Sequence, residues 1–363
     1  MNRFHKLFLL LFVMKNLYVC LLVRWKIKSR GNVYFETKPD RLYIEINQTD
    51  IRKKEATECL YILSKLLYNK IINSYDEAKN EIGICAFNKK TVLKFDLFLI
   101  GNIVYPALSA GIFVEEYDSD FFLVTIKDKY RFIIRKEIKQ DIKILKYTFL
   151  HDEYGKYLPD IKGKIVLDIG GYIGDTAVYF SKLGASMVYV YEPHPVLYQI
   201  LTKNIELNNL KNVKAINCGT SSENSIIFAK EDSFYNGPTG AFGLKLSKER
   251  EGKTVEMKTV SFKEIVENIG EIDFMKMDCE GCEFQALLSC DTIYLRKIKK
   301  MVVEYHSNPE KIKKHLENSG FFVELENSGV FVEGGNDILV ASLSGGFQNW
   351  NLRPGGSASG GQV

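Results

Sequence analysis

The chain has 363 residues, 46% of them apolar, a net charge of +4 and seven cysteines. That length supplies one large domain or two modest ones, and the apolar share is ample for a packed core, which excludes a largely disordered chain. An odd number of scattered cysteines excludes a secreted disulfide scaffold and points to a reducing, cytoplasmic setting.

The charge is uneven along the chain. Residues 1–30 hold seven Lys/Arg and no acid, which leaves −3 for the other 333 residues. Nucleic-acid enzymes usually spread a basic footprint over their main domain, so no nucleic-acid partner is expected. Leu7–Val23 is apolar apart from Lys15 and Asn16 and has basic flanks. As a helix it would reach about 25 Å, short of a bilayer core of about 30 Å. A central Lys costs about 2.5–3.5 kcal/mol to insert, against about 0.3–0.6 gained per Leu, Ile, Phe or Val. Residues 1–30 are therefore expected to form a basic, apolar helix that touches a membrane surface through residues 7–23. Packing on protein is the next reading and a true span the last.

Residues 31–147 read as an accessory mixed α/β region. A polar connection leads into a helical stretch, "ATECLYILSKLLYNKIINSY". "KTVLKFDLFLI", "FFLVTIKD" and "YRFIIRKEI" follow, rich in the β-branched and aromatic residues of strands.

From Lys164 onward strand and helix patterns alternate. The strands are expected at Lys164–Ile169, Ser186–Tyr191, Asn212–Cys218, Ile272–Met277 and Lys300–Tyr305, with "TVEMKTV" as a further candidate. The helices are expected at Asp175–Leu183, Pro195–Asn208, Ser261–Ile269, Glu283–Leu288 and Pro309–Ser319. Such alternation implies a parallel sheet with right-handed crossovers. "FFVELEN" and "NDILVASL" have no helix between them and imply an antiparallel hairpin at its edge. Residues 344–363 read as a flexible Gly/Ser tail.

"VLDIGGYIGDTAVYF" (Val166–Phe180) opens this region with an acid and three glycines. It is not a dinucleotide fingerprint, because Ile169 stands where the first Gly should be. What remains is Asp168, Gly170, Gly171 and Gly174, followed by Glu192 at the end of the second strand. S-adenosylmethionine suits that set: it carries a sulfonium, an ammonium and a ribose diol but no phosphate. Asp168 would favour its cationic part, the glycines would let backbone approach it, and Glu192 would accept the ribose hydroxyls.

Together with "VYVYEPHPVLYQILTKNIELN", "DFMKMDCEGCEFQAL" and "MVVEYH", this stretch resembles the FkbM-type methyltransferase family over residues 148–343. The D-x-E-G-x-E run at Asp278–Glu283 is its most specific piece. The resemblance implies a class I methyltransferase fold, an α/β Rossmann-like seven-stranded sheet whose last strand is antiparallel. It implies S-adenosylmethionine as donor and O-methylation of a hydroxyl on a sugar, glycan or small metabolite. By it Asp168, Gly170 and Gly174 line the methionyl end, Glu192 the ribose, and Asn217, ending the third strand, the adenine. Tyr172 stands where methyltransferases often carry Gly, and Glu153–Tyr154 resemble an upstream "EY" pair.

Methyl transfer to a hydroxyl is an in-line displacement that needs a positioned acceptor and a group to take its proton. His306, ending the fifth strand, is the first choice for that base. Asp278 and Glu280, ending the fourth, either present one carboxylate to the ligand or hold a divalent ion together, whose further ligands are not found. Glu283 reads as a helix cap. "CEGC" (Cys279–Cys282) has only Cys290 nearby as a further thiol, so small buried residues are expected rather than a zinc or redox site. His194, between two prolines, reads as part of a rigid turn. An RNA methyltransferase, a non-catalytic binding module and a nicotinamide-dependent oxidoreductase are the rival readings. The absent basic excess counts against the first, and the missing first Gly against the last.

Overall fold

The structure, a computed structural model, describes residues 23–27, 33–37, 43–46, 62, 66, 71–76, 79–94, 96, 99–230, 246–247, 253–305, 309–327 and 337–343. The chain divides into two units, Met1–Lys146 with Pro238–Gly240, and Tyr147–Gly237 with Ala241–Val363.

The first unit holds three antiparallel meanders: β1–β3 (Val23–Ile27, Val33–Thr37, Tyr43–Ile46), β4–β6 (Ile72–Asp76, Glu81–Ala86, Lys89–Lys94) and β7–β9 (Ile112–Glu116, Phe121–Ile126, Tyr130–Arg135). Phe87 and Asn88 both adopt positive φ, the requirement of a two-residue hairpin turn matched to strand twist. A π-helical turn, Ile100–Val104, and α1 (Tyr105–Ser109) join the second meander to the third. Arg135, at the end of β9, makes a buried two-pronged ion pair with Asp141, at 3.0 and 2.6 Å. Asp141 lies in the first turn of α2 (Lys139–Phe149).

Two expectations change here. Residues 1–22 of the expected N-terminal helix lie outside the described residues, and Val23–Ile27 within it form a strand. Among the described residues, no helix is long and apolar enough to cross a membrane. The expected helix after residue 56 is helical at Ile62 and Leu66, but its end, Ile72–Asp76, pairs with β5 as a strand.

The second unit is built on one sheet of seven strands. In chain order its members are β10 (Ile165–Ile169), β11 (Met187–Tyr191), β12 (Val213–Ile216), β17 (Phe274–Met277), β18 (Lys300–Tyr305), β19 (Phe322–Asn327) and β20 (Asp337–Ser342). They lie side by side as β12-β11-β10-β17-β18-β20-β19. Neighbours pair in parallel except at β20, which is antiparallel to both β18 and β19. The last hairpin stands at the sheet edge, as its sequence implies, with the final strand on the inner side. Helices α3 (Asp175–Lys182), α4 (Pro195–Leu207), α5 (Phe262–Ile269), α6 (Glu283–Leu288), α7 (Thr292–Leu295) and α8 (Pro309–Asn318) fall between the strands. On one face Leu167, Met275, Met301 and Leu339 pack with Phe262 and Val266 of α5 and Leu316 of α8. Alternate residues point to the opposite face, where Val166 and Phe274 are equally buried.

A smaller sheet is inserted before α5, made of β13 (Gly219–Ser221), β14 (Ser225–Lys230), β15 (Leu246–Ser247) and β16 (Thr254–Ser261) in the order β13-β16-β14-β15. "TVEMKTV" supplies β16, and the other three strands were not apparent in the sequence. Ser261 ends it and caps α5, its Oγ accepting from the Glu264 N–H at 3.2 Å.

Candidate active site

Ligands of open α/β sheets bind beyond the C-terminal ends of the strands. In this unit the charged side chains converge there. Strand register sets Val190, Asp168, Lys276 and Val302 side by side across β11, β10, β17 and β18. Two of these four are charged, inside a sheet flanked by apolar residues. Lys276 is only 3% exposed, and its Nζ donates to the Gly170 carbonyl at 2.6 Å. The same Nζ lies 3.4 Å from Asp168 Oδ1 and 3.8 Å from Asp278 Oδ2. Asp168 is fully buried and accepts from Thr176 Oγ1 at 2.6 Å. Asp168 is thus paired within the protein with Lys276 and Thr176.

The glycines are required first by the protein itself. Gly170 sits at φ +86°, and a Cβ there would lie 1.7 Å from the Asp278 carbonyl oxygen. A Cβ on Gly171 would lie 2.4 Å from Val190 Cγ2 and 2.7 Å from Leu201 Cδ1. The first loop can thus close on the fourth strand and on α4 only without side chains at these positions. Gly174, at φ +86°, starts α3 in the same tight loop.

Glu192 is buried just past the end of β11. Its two carboxylate oxygens accept from the Tyr172 and His194 N–H groups, each at 2.8 Å. Burial pushes its pKa up to about 7, against the pull of those two donors. Tyr172 meets this acceptor from a left-handed backbone, φ +47°. His194 is the N-cap of α4, its Nδ1 accepting from Val196 N–H, which agrees with the rigid-turn reading. Asn217 donates through Nδ2 to the carbonyls of Glu192 and Pro193, at 2.9 and 3.1 Å. It fixes the Glu192 turn, and its side-chain amide nitrogen is occupied there.

Beyond β17 the chain turns sharply, with Glu280 at φ +57° and Gly281 at φ +112°. Glu283, in the first turn of α6, accepts from the N–H groups of Cys279 and Gly281, both at 3.0 Å, and ties the turn ahead of that helix. Cys279 and Cys282 are joined by a disulfide, which overturns the expectation of unbridged small residues. A four-residue turn brings their Cα atoms to 5.5 Å, within the range a disulfide spans. Asp278, just before the turn, has a buried Oδ1 with no hydrogen-bond partner among the described residues. His306 lies outside the described residues. Among those described, no group of three or more His, Cys, Asp or Glu is placed to hold a metal ion.

Sequence reasoning missed three members of this cluster, Lys276, Asp175 and Glu304, and gave Glu153 only as half of an upstream "EY" pair with no role. Burial, reinforced by the charges of Asp278 and Asp175, pushes Glu153 up to about 7. Burial with Asp278 and Glu153 pushes Glu304 up to about 10. Burial raises Asp175 to about 6, although Thr148 Oγ1 donates to it at 2.6 Å. A signal for Lys276 was present: a lone Lys in "DFMKMD", an otherwise apolar strand, must find a partner when buried.

These raised carboxyls fix the sign of a pH effect. Each binds a proton in the folded state that the unfolded chain has already released, so stability falls as pH rises. From Asp175, Glu153 and Glu192 the window runs from about 4.5 to about 7. Thermal unfolding followed by circular dichroism should therefore give a lower Tm at about pH 7.5 than at about pH 5. A Tm that rises over that interval would contradict the buried acid cluster.

The strand order, numbered within this unit, is 3-2-1-4-5-7-6, with only the seventh strand antiparallel. That arrangement is the class I methyltransferase fold. Residues 168–329 match the methyltransferase FkbM domain. Methyltransferase 1 of Beauveria bassiana is 25% identical over 225 residues, 55% of this chain and 89% of that protein. Methyltransferase sdnD of Sordaria araneosa is 28% identical over 189 residues, 43% of this chain and 73% of that protein. Among solved structures, Aeropyrum pernix fibrillarin with bound S-adenosyl-L-methionine is 13% identical, with a TM-score of 0.35 over 63% of this chain and 97% of that one.

Proposed function

We propose that the second unit transfers a methyl group from S-adenosylmethionine to a hydroxyl of a sugar, glycan or small metabolite. The observation that carries the donor is the acid-rich well at the strand ends. There Asp168, Asp278, Asp175, Glu153 and Glu304 act on one another around a single buried ammonium, Lys276. Burial first, and then the negative charge of the neighbouring acids, lets Glu153 and Glu304 hold protons to unusually high pH. A cationic ligand relieves that excess, and the unsatisfied Asp278 Oδ1 gives it an acceptor. The residues present therefore fit this donor.

When bound, S-adenosylmethionine supplies an activated methyl group on a sulfonium sulfur. Glu192, held by Tyr172 and His194, retains lone pairs for the ribose hydroxyls. Asp278 favours the cationic end and helps orient the acceptor. Glu153, with a pKa near neutrality, is matched to taking the hydroxyl proton, a role first given to His306. The same negative well repels a polyanion, which favours a sugar or small metabolite over RNA as acceptor.

The test is transfer of radiolabelled methyl from S-adenosylmethionine into glycan, metabolite and RNA extracts. Label is expected in the glycan or metabolite fraction, in a form stable to the mild base that cleaves methyl esters. Label confined to RNA, or in no fraction, would refute the acceptor class.

A further inference from the structure

Lys276 occupies a position no apolar strand requires. Its Nζ joins three parts of the site: the Gly170 carbonyl on the first loop, Asp168 on β10 and Asp278 beyond β17. Gly170 and Asp278 also touch through backbone, since no Cβ fits between them. One ammonium therefore pins the first loop to the fourth and supplies positive charge in the midst of the acids. Lys156, which also acts on Glu153, is 55% exposed and is tied to Glu326 at 3.1 Å, so water screens it. Asp175 and Glu304 act on Lys276 by charge as well, so its loss would be felt across the whole well.

Resting on the donor reading above, we infer that Lys276 is a positioning residue that sets the net charge of the well, and with it the preference for a sulfonium donor over its neutral thioether product. Donor and product differ by one methyl group and one positive charge. A side chain that served packing alone would affect both ligands alike. A charge a few ångströms away acts on the cation and leaves the neutral ligand nearly untouched. A well kept too negative would hold the donor more tightly and leave the product nearly as it is, and one kept too positive would admit no donor. The buried Lys–Asp pair lets the site stand between those limits.

The experiment is calorimetric titration with S-adenosylmethionine and with S-adenosylhomocysteine. It compares the wild-type chain, Lys276→Met, Asp168→Asn and the double variant. Titration at about pH 8.5 limits proton uptake by Glu153, and repeating it in two buffers of different ionisation enthalpy reads any proton exchanged by Glu304. Lys276→Met should raise the ratio of product Kd to donor Kd about tenfold, and Asp168→Asn should lower it by a similar factor. The double variant should return the ratio to near the wild-type value. Loss of affinity for both ligands in equal proportion, with an unchanged ratio in each variant, would overturn the inference. Should Lys276→Met fail to fold, the isosteric Asp168→Asn decides alone by the direction of its shift. Absence of binding to the wild-type chain would overturn the donor reading and this inference with it. Binding with constant ratios would overturn the inference and leave the donor reading standing.

Discussion

Gly170→Ala is expected to destabilise the second unit by about 4 kcal/mol or more and to abolish donor binding. Two costs add. An alanine held at φ +86° pays about 1–2 kcal/mol for a left-handed backbone. Its Cβ would also stand 1.7 Å from the Asp278 carbonyl oxygen, a backbone atom that cannot rotate away. Relief requires the first loop to part from the fourth, which breaks the Lys276 bond to the Gly170 carbonyl and leaves two acids with a displaced counter-charge. Overpacking of this kind costs about 1–3 kcal/mol, and disturbance of a buried ion pair about 3–5. Urea unfolding monitored by near-UV and far-UV circular dichroism checks it. A loss below about 1 kcal/mol would mean that the two loops are not in contact.

Glu192→Ala should weaken S-adenosylmethionine at least about a hundredfold while the chain still folds. The substitution removes the acceptor proposed for the ribose hydroxyls, each such charged hydrogen bond being worth about 1.5–3 kcal/mol. It also strips Tyr172 N–H and His194 N–H of their common acceptor. The turn carrying Tyr172 would then lose its tie to the second strand. Stability should change little, because removal of a buried carboxyl whose pKa is pushed up to about 7 offsets part of the lost hydrogen bonding. Unchanged donor affinity in a folded variant would remove Glu192 from the site.

The core of the second unit was legible in the sequence because its local signals agree with one another. Each parallel strand is a short, largely apolar run, three of them closed by Gly170, Glu192 or Asp278, and helical patterns fall between most of them. Missing glycine at Ile169 separated the first loop from a dinucleotide fingerprint. What escaped were features fixed by pairing across distance. Ile72–Asp76 carries apolar residues that suit a helix or a strand, and β5 decides between them. Strand β13 is three polar residues long, β14 is a six-residue run with a brief apolar centre, and both exist through their ladder to β16. Lys276 and Asp168 became partners only through the adjacency of β17 and β10, which a single sequence does not reveal. For the same reason the glycines looked like room for a ligand, whereas their nearest neighbours are Asp278, Val190 and Leu201. The cysteine reading failed at Cys279–Cys282 because the turn that closes the pair depends on Glu280 and Gly281 both adopting positive φ.

The most direct test of the central claim is a calorimetric titration of the intact chain with S-adenosylmethionine at pH values of about 6 and 8, in two buffers of different ionisation enthalpy. A positive ligand entering a well of partly protonated acids should displace protons from Glu153 and its neighbours. The account predicts saturable binding to a single site, tighter at the higher pH, with proton release seen as a buffer-dependent heat. Absence of binding, or binding of equal strength at both pH values with no protons released, would contradict it.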